Sequence, residues 1–215
     1  MPLIYDIERN DTTRIAVWEN TEKEDFFIKE LQLTAVELSQ LKELKAHRIQ
    51  EWLTSRYLCY LLDGKKERRQ IVKDQYNKPH LVNSDKYISI SHSKNRAAVI
   101  ISNKLVGIDV QKFEPKITRI QHKFISAQEH EKIDPQSLEP SYHIFWGAKE
   151  CMYKAYGKRE IEFKKHMHLY PFSYHMSQIE LKGWLRKNEV DQNYIIYVNE
   201  IDDYYLVYSI LNHES

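Results

Sequence analysis

Hydrophobic positions change their period several times along the chain. Leu3-Ile4-Tyr5-Asp6-Ile7 and Arg14-Ile15-Ala16-Val17-Trp18 read as two short strands around a turn at Asn10-Asp11. Residues 21–63 then take a helical spacing through Phe26, Phe27, Leu31, Leu33, Leu38, Leu41, Leu44, Ile49, Trp52, Leu53, Leu58 and Leu61. Thr34 followed by Glu37 predicts a capping box within this stretch, and Gly64 predicts its stop. Lys65 to Gln75 reads as a polar connection. In Tyr87-Ile88-Ser89-Ile90-Ser91-His92 the isoleucines face one way and the serines the other. Ala97 to Ile101 predicts a buried strand and Leu105 to Gln111 another, the short Ser102-Asn103-Lys104 link suggesting that they form a hairpin. Helices are expected from about Pro115 to Phe124 and from about Ser141 to Tyr156. A three-stranded meander is expected from Gln178 to Leu211. The expected class is α+β, with residues 1–104 and 105–215 as two halves that pack as one unit, since no Pro/Gly/Ser linker separates them.

Composition narrows the chemistry. The chain of 215 residues is 42% hydrophobic and 12% aromatic, which excludes disordered and fibrous classes. A formal charge of +1 argues against a wholly basic nucleic-acid binder. The C-terminal tyrosines Tyr194, Tyr197, Tyr204, Tyr205 and Tyr208 are not interleaved with cations, so they read as cross-strand packing rather than a base-stacking platform. The five glycines include no pair at the spacings of the Gly-rich phosphate loops or of a nucleophile elbow. Phosphate chemistry would therefore need side chains and a metal. Two cysteines make no disulfide framework, the N-terminal residues do not read as a signal peptide, and no apolar run approaches the roughly 20 residues of a membrane span. A soluble cytoplasmic protein with no membrane partner is the expectation.

Three segments carry candidate chemistry. On a strand Val106-Gly107-Ile108-Asp109-Val110-Gln111, Asp109 and Gln111 share one face and could hold a hard cation, or could simply be solvated. On a helix through Trp146-Gly147-Ala148-Lys149-Glu150, Glu150 lies one turn from Lys154. That is an ordinary surface ion pair, or else a metal ligand or base beside a phosphate donor. Ile90-Ser91-His92-Ser93 puts a hydroxyl and an imidazole after a strand, where they could reach an anion; a Ser/His hydrolase would lack its third partner. His166 and His168 read as a surface pair in a loop.

Taken in order, Asn77-Lys78-Pro79, Ile90-Ser91-His92-Ser93, Gly107-Ile108-Asp109-Val110, Phe124-Ile125-Ser126 with Glu129, and Trp146-Gly147-Ala148-Lys149-Glu150 with Lys154 and Gly157 resemble the 4'-phosphopantetheinyl transferases. Within them the chain is similar to the long, double-sized subgroup typified by the surfactin-synthetase activator, over about residues 45–160. The resemblance implies two similar halves related by a pseudo-two-fold, with an active site between them, in a monomer. It also implies transfer of the phosphopantetheine arm of coenzyme A to a carrier-protein serine, releasing 3',5'-ADP. Asp109 and Glu150 would then bind Mg²⁺. Lys154 would meet phosphate, and Lys78, Ser91, His92 and Arg56 would meet coenzyme A, with Arg48 and Lys45 as alternatives to Arg56. Glu150 or Glu129 would serve as base. Gln111 stands where the family usually has an acid, so it would coordinate through water or not at all, while Asn77 replaces a common glycine and can still take a left-handed backbone. Two other readings use the same residues: a non-catalytic coenzyme A binding paralogue, and a metal-dependent phosphodiesterase. Lys116, Arg119 and Lys123, with Lys112 before them, would make a cationic helix face opposite Ile117, Ile120 and Phe124, a possible dock for an acidic carrier protein.

Overall fold

The computed structural model describes residues 2–9, 12–174 and 178–212. The predicted turn at Asn10-Asp11 lies outside them. Strands β1 (Leu3–Arg9) and β2 (Thr13–Glu19) pair antiparallel, and three helices follow: α1 (Glu24–Leu31), α2 (Ala35–Glu43) and α3 (Ala46–Asp63). The Thr34–Glu37 capping box forms in both directions at the start of α2, and Gly64 ends α3 at φ 64°. Strands β3 (Ile71–Lys73), β4 (Pro79–Leu81), β5 (Tyr87–Ser93) and β6 (Arg96–Ser102) complete a six-stranded antiparallel sheet ordered β1-β2-β6-β5-β4-β3. Strand β3 falls inside the expected polar connection; three residues with one buried side chain leave no period to read.

Strand β7 (Val106–Lys112) begins the second sheet. Short helices α4 (Ile117–Ile120) and α5 (Ala127–His130) lead to the long α6 (Leu138–Tyr156), then to α7 (Phe163–His166) and β8 (Met167–Leu169). The meander β9 (Gln178–Lys187), β10 (Val190–Ile201) and β11 (Tyr204–Asn212) closes an antiparallel sheet ordered β7-β11-β10-β9-β8. His168 therefore sits on a strand and stacks on Trp184, and His166 is buried at the end of α7, so neither occupies the expected loop.

The expected hairpin of β6 with β7 does not form. Both edges of β6 are taken, by β2 and β5, so Ser102-Asn103-Lys104 carries the chain from one sheet to the other. The sheets then pack face to face through Ile15, Val17, Ala98 and Ile100 against Ile108, Leu206, Tyr208 and Ile210. The alternate residues of each sheet face helices: Val99 and Ile101 meet Leu53, Leu58 and Leu62 of α3, and Val207 and Tyr205 meet the α6 side. The result is four layers, helix, sheet, sheet, helix, with β6 buried along its whole length. Tyr197 and Tyr208 are cross-strand partners with stacked rings 5.1 Å apart, as the alternation predicts.

Candidate active site

Two glycines let α6 come close to the second sheet. A Cβ on Gly107 would lie 1.8 Å from the Cys151 carbonyl oxygen, and one on Gly147 would lie 2.6 Å from Val207. With bare backbone at residue 107, the helix lies against β7 and carries its Lys154 to Asp109. The Lys154 Nζ donates to Asp109 Oδ1 (2.9 Å), to the Ile108 carbonyl (2.8 Å) and to Ser91 Oγ (3.1 Å). Burial opposes the lysine's charge, but Asp109 and Glu150 outweigh it and hold the ammonium above the usual lysine range. Glu150, one turn back, is pushed above the ordinary carboxylate range by burial, with Lys154 acting against the shift and Asp109 adding to it. The two carboxylates thus share one electrostatic environment, although 41 positions separate them in the chain.

Asp109 is 7% exposed, and its Oδ2 is buried with no hydrogen-bond partner. An orphaned carboxylate oxygen beside a second carboxylate is the donor set that a hard divalent cation takes, with water filling its other positions. The residues present fit Mg²⁺ in that respect. No cluster of three or more His, Cys, Asp or Glu exists among the described residues, so a cation here would have two carboxylate ligands from the protein.

Gln111 does not extend the set. Its Oε1 lies 2.9 Å from His143 Nδ1 and its Nε2 donates to the His143 carbonyl at 3.0 Å, so both ends of the amide are engaged by one residue of α6. His143 Nε2 lies 3.2 Å from the Glu114 nitrogen, which makes the tautomer protonated on Nδ1 the consistent one. Glu129 is also closed off. Its carboxylate is fully buried and accepts from Lys149 Nζ (2.8 Å), the Ser126 nitrogen (2.9 Å) and the Leu169 nitrogen (2.9 Å). Lys149 adds bonds to the Phe124 and Phe163 carbonyls, and burial pulls it below the usual lysine range against the pull of Glu129. With its oxygens committed to a structural ion pair, Glu129 is poorly placed to take a substrate proton. Truncating Lys149 to Met would strand that carboxylate, and a loss of about 3–5 kcal/mol is expected; urea unfolding measures it, and a midpoint equal to the wild type would contradict the pairing.

The turn before β4 brings Lys78 to the same cleft. Asp74 Oδ1 accepts from the Tyr76 and Lys78 nitrogens, its Oδ2 pairs with His80, and Asn77 takes φ 69° as expected for a residue in place of glycine. Lys78 Nζ reaches across to the Ala155 carbonyl in the last turn of α6, its stem passing over Gly157, where a Cβ would lie 2.3 Å from it. A cavity of about 220 Å³ between the halves is lined by Tyr76, Lys78, Ile90, Tyr153 and Lys154.

Arg56 is elsewhere. Its guanidinium lies 3.4 Å over the Trp52 ring and 4.0 Å from Glu37 of α2, and burial lowers its pKa to about 10. The cations whose charge reaches His92 are Lys154, Arg48 and Lys73, which together with burial keep that imidazole below its ordinary range while Glu51 pulls upward. Arg48 carries a 2.6 Å bond to Glu51 and remains largely exposed. Lys73 escaped the sequence reading because β3 has no legible pattern. Arg48 could have been preferred over Arg56, since its neighbour Glu51 marks the helix face that meets His92.

Two electrostatically coupled carboxylates on β7 and α6, a lysine held against one of them and further cations nearby make up the candidate site. Residues 105–196 match the model of the 4'-phosphopantetheinyl transferase superfamily. It is 30% identical over 133 residues to the 4'-phosphopantetheinyl transferase gsp of Aneurinibacillus migulanus, covering 60% of this chain and 56% of that protein. To the 4'-phosphopantetheinyl transferase of Bacillus subtilis it is 30% identical over 89 residues, 39% of each chain. The matches thus span about half the length of these relatives or less.

Proposed function

We propose that the protein transfers the 4'-phosphopantetheine arm of coenzyme A to a serine hydroxyl of an acyl or peptidyl carrier protein and releases 3',5'-ADP, with Mg²⁺ required. The observation that carries this reading is the convergence of Asp109, Glu150 and Lys154 with a buried Asp109 oxygen that has no protein partner. In the reaction the serine oxygen forms a bond to the β-phosphorus, and the bond from that phosphorus to the bridging oxygen of 3',5'-ADP breaks. Mg²⁺ held by Asp109 and Glu150 would supply the positive charge that a diphosphate leaving group needs.

The chain's own residues do the remaining work. Lys154 holds Asp109 in place, and all three of its protons already have protein acceptors, so a phosphate oxygen would have to replace one of them. The Glu150 side chain on α6 makes no hydrogen bond among the described residues and would serve as the base for the serine proton. Lys78, His92, Arg48 and Lys73 would receive the phosphates of coenzyme A, and the cavity between the halves would receive its nucleotide. The halves would be the pseudo-symmetric pair of the long subgroup, divided near residue 104 where the chain leaves the first sheet, and one chain supplies the whole site. No helix among the described residues is long and apolar enough to cross a membrane.

Mass spectrometry of apo-carriers incubated with the protein, coenzyme A and Mg²⁺ tests the reading. The added arm and free 3',5'-ADP are expected, both absent with chelator. Coenzyme A bound without transfer would favour a non-catalytic paralogue, and coenzyme A cleaved without a carrier would favour a phosphodiesterase.

The proposed carrier dock is less regular than one helix. Lys116 precedes α4, and Gln121–Lys123 form a 3-10 turn, so the three cations do not fall on a single helical stripe, while Ile117 and Phe124 are buried as expected. Lys116 pairs with Glu114 and Lys112 with Asp203. Reversing Lys116 and Arg119 to Glu is expected to raise KM for an acidic carrier severalfold with KM for coenzyme A steady. An unchanged carrier KM would remove this surface from the proposal.

A further inference from the structure

Strand β7 is the edge of its sheet, and in a strand alternate N–H groups point to opposite edges. On the open edge of β7 the amides of Ile108, Val110 and Lys112 have no neighbouring strand. Each instead donates to a serine hydroxyl of β5: Ile108 to Ser89 Oγ (3.1 Å), Val110 to Ser91 Oγ (3.2 Å) and Lys112 to Ser93 Oγ (3.2 Å). The offset is 19 residues at every step, so a side-chain ladder with the two-residue period of a strand stands where a backbone ladder would run.

The middle rung does more than the others. Ser91 Oγ accepts from the Val110 nitrogen and from Lys154 Nζ, and donates to Asp109 Oδ1 at 3.0 Å. A hydroxyl has one proton and two lone pairs, and here all three are used. Ser91 is 6% exposed and keeps no capacity for a ligand. Resemblance to the family implies a coenzyme A contact for this serine, and its saturation argues otherwise.

We propose that Ser91 is a positioning residue: the N-terminal half uses it to fix Asp109 and Lys154 so that Asp109 Oδ2 is left without a protein partner, with Ser89 and Ser93 holding the register. The inference deepens the reading of the site given above and rests on it for the role of Asp109. Fixing Oδ1 with a hydroxyl and an ammonium leaves Oδ2 as the one oxygen free to meet a cation, and groups that orient a ligand in this way typically contribute about 10- to 100-fold to metal affinity.

The test compares Ser91→Ala, Ser91→Thr and Ser93→Ala in the full chain. The readouts are Tm, calorimetric binding of Mn²⁺ alone, and binding of coenzyme A in chelator. Both alanine variants orphan one edge amide, so both should lower Tm, Ser91→Ala the more because it also breaks the bonds to Asp109 and Lys154. Only Ser91→Ala should weaken Mn²⁺ binding, by about 10-fold or more, with coenzyme A binding in chelator unchanged, and Ser91→Thr should restore the affinity. If Ser91→Ala does not fold, Ser91→Cys supplies the same comparison with a weak hydrogen-bonding group of similar size. Equal Mn²⁺ affinity in the Ser91 and Ser93 alanine variants would overturn the proposal. So would weakened coenzyme A binding with Mn²⁺ binding intact, or a wild type that does not bind Mn²⁺. None of these readouts needs transfer to occur, so a wild type that binds Mn²⁺ yet modifies no carrier would count against the proposed function and leave the role of Ser91 standing.

Discussion

Asp109→Asn is expected to fold with a Tm near that of the wild type and to lose transferase activity by about a thousandfold or more. The variant keeps the shape of the side chain and can still accept from Ser91, so the packing around it survives. It loses the formal charge of a carboxylate whose second oxygen is buried and unpartnered. A charge of that kind acting on a bound cation contributes several kcal/mol to the transition state, and each 1.4 kcal/mol is about tenfold in rate. Asp109→Ala should be as inactive and also less stable, because it removes as well the oxygen to which Ser91 and Lys154 donate, an acceptor that the Asn side chain keeps. Steady-state rates with an apo-carrier, together with thermal melts, separate the two effects. Turnover of the Asn variant within tenfold of the wild type would remove Asp109 from the centre of the mechanism.

Gly107→Ala should damage both fold and activity, although residue 107 touches no ligand. The new methyl would meet the oxygen, carbon and Cα of Cys151 at 1.8, 2.6 and 2.9 Å, all helix backbone, so no side-chain rotation relieves it. Helix α6 must withdraw from β7, and the 2.9 Å bond from Lys154 to Asp109 stretches with it. Overpacking of a well-filled core costs about 1–3 kcal/mol, which in a chain of this size lowers Tm by several degrees. Displacement of catalytic groups by about 1 Å costs on the order of a hundredfold in rate. A Tm and a turnover both at wild-type levels would show that the helix has room that the structure denies it. Gly147→Ala would press on the Val207 and Gln111 side chains instead of on helix backbone.

These two glycines also mark where sequence reasoning reached and where it ended. The motifs containing Asp109, Glu150 and Lys154 are legible because each sits inside a regular element whose period fixes its face. What brings the elements together is a close backbone approach, and a glycine in a sequence does not say what it is making room for. The alternation of Ile88 and Ile90 with Ser89 and Ser91 was equally plain, yet the use of those serines depends on β7 being an edge strand, a long-range fact. The misplaced β6–β7 hairpin has the same origin: a three-residue link suits a tight turn, but Ala97 to Ile101 is buried on both faces and paired on both edges. The helix that carries Arg56 presents several cations, and only the position of Glu37 shows which way the Arg56 side chain turns. The pairing of Glu129 is not legible in the sequence because its partner Lys149 is 20 residues away.

The strand order of the second sheet bears on what counts as a unit here. The superfamily match ends at residue 196, inside β10, whereas β11 (204–212) lies between β7 and β10. A protein cut to the matched segment would hold every residue of the Asp109–Glu150–Lys154 constellation and lack the strand on which β7 is hung. The recognisable part of the molecule is therefore not a part that could be excised: its signature residues depend for their placement on a C-terminal strand beyond the match and, on the other flank, on hydroxyls contributed by a different sheet.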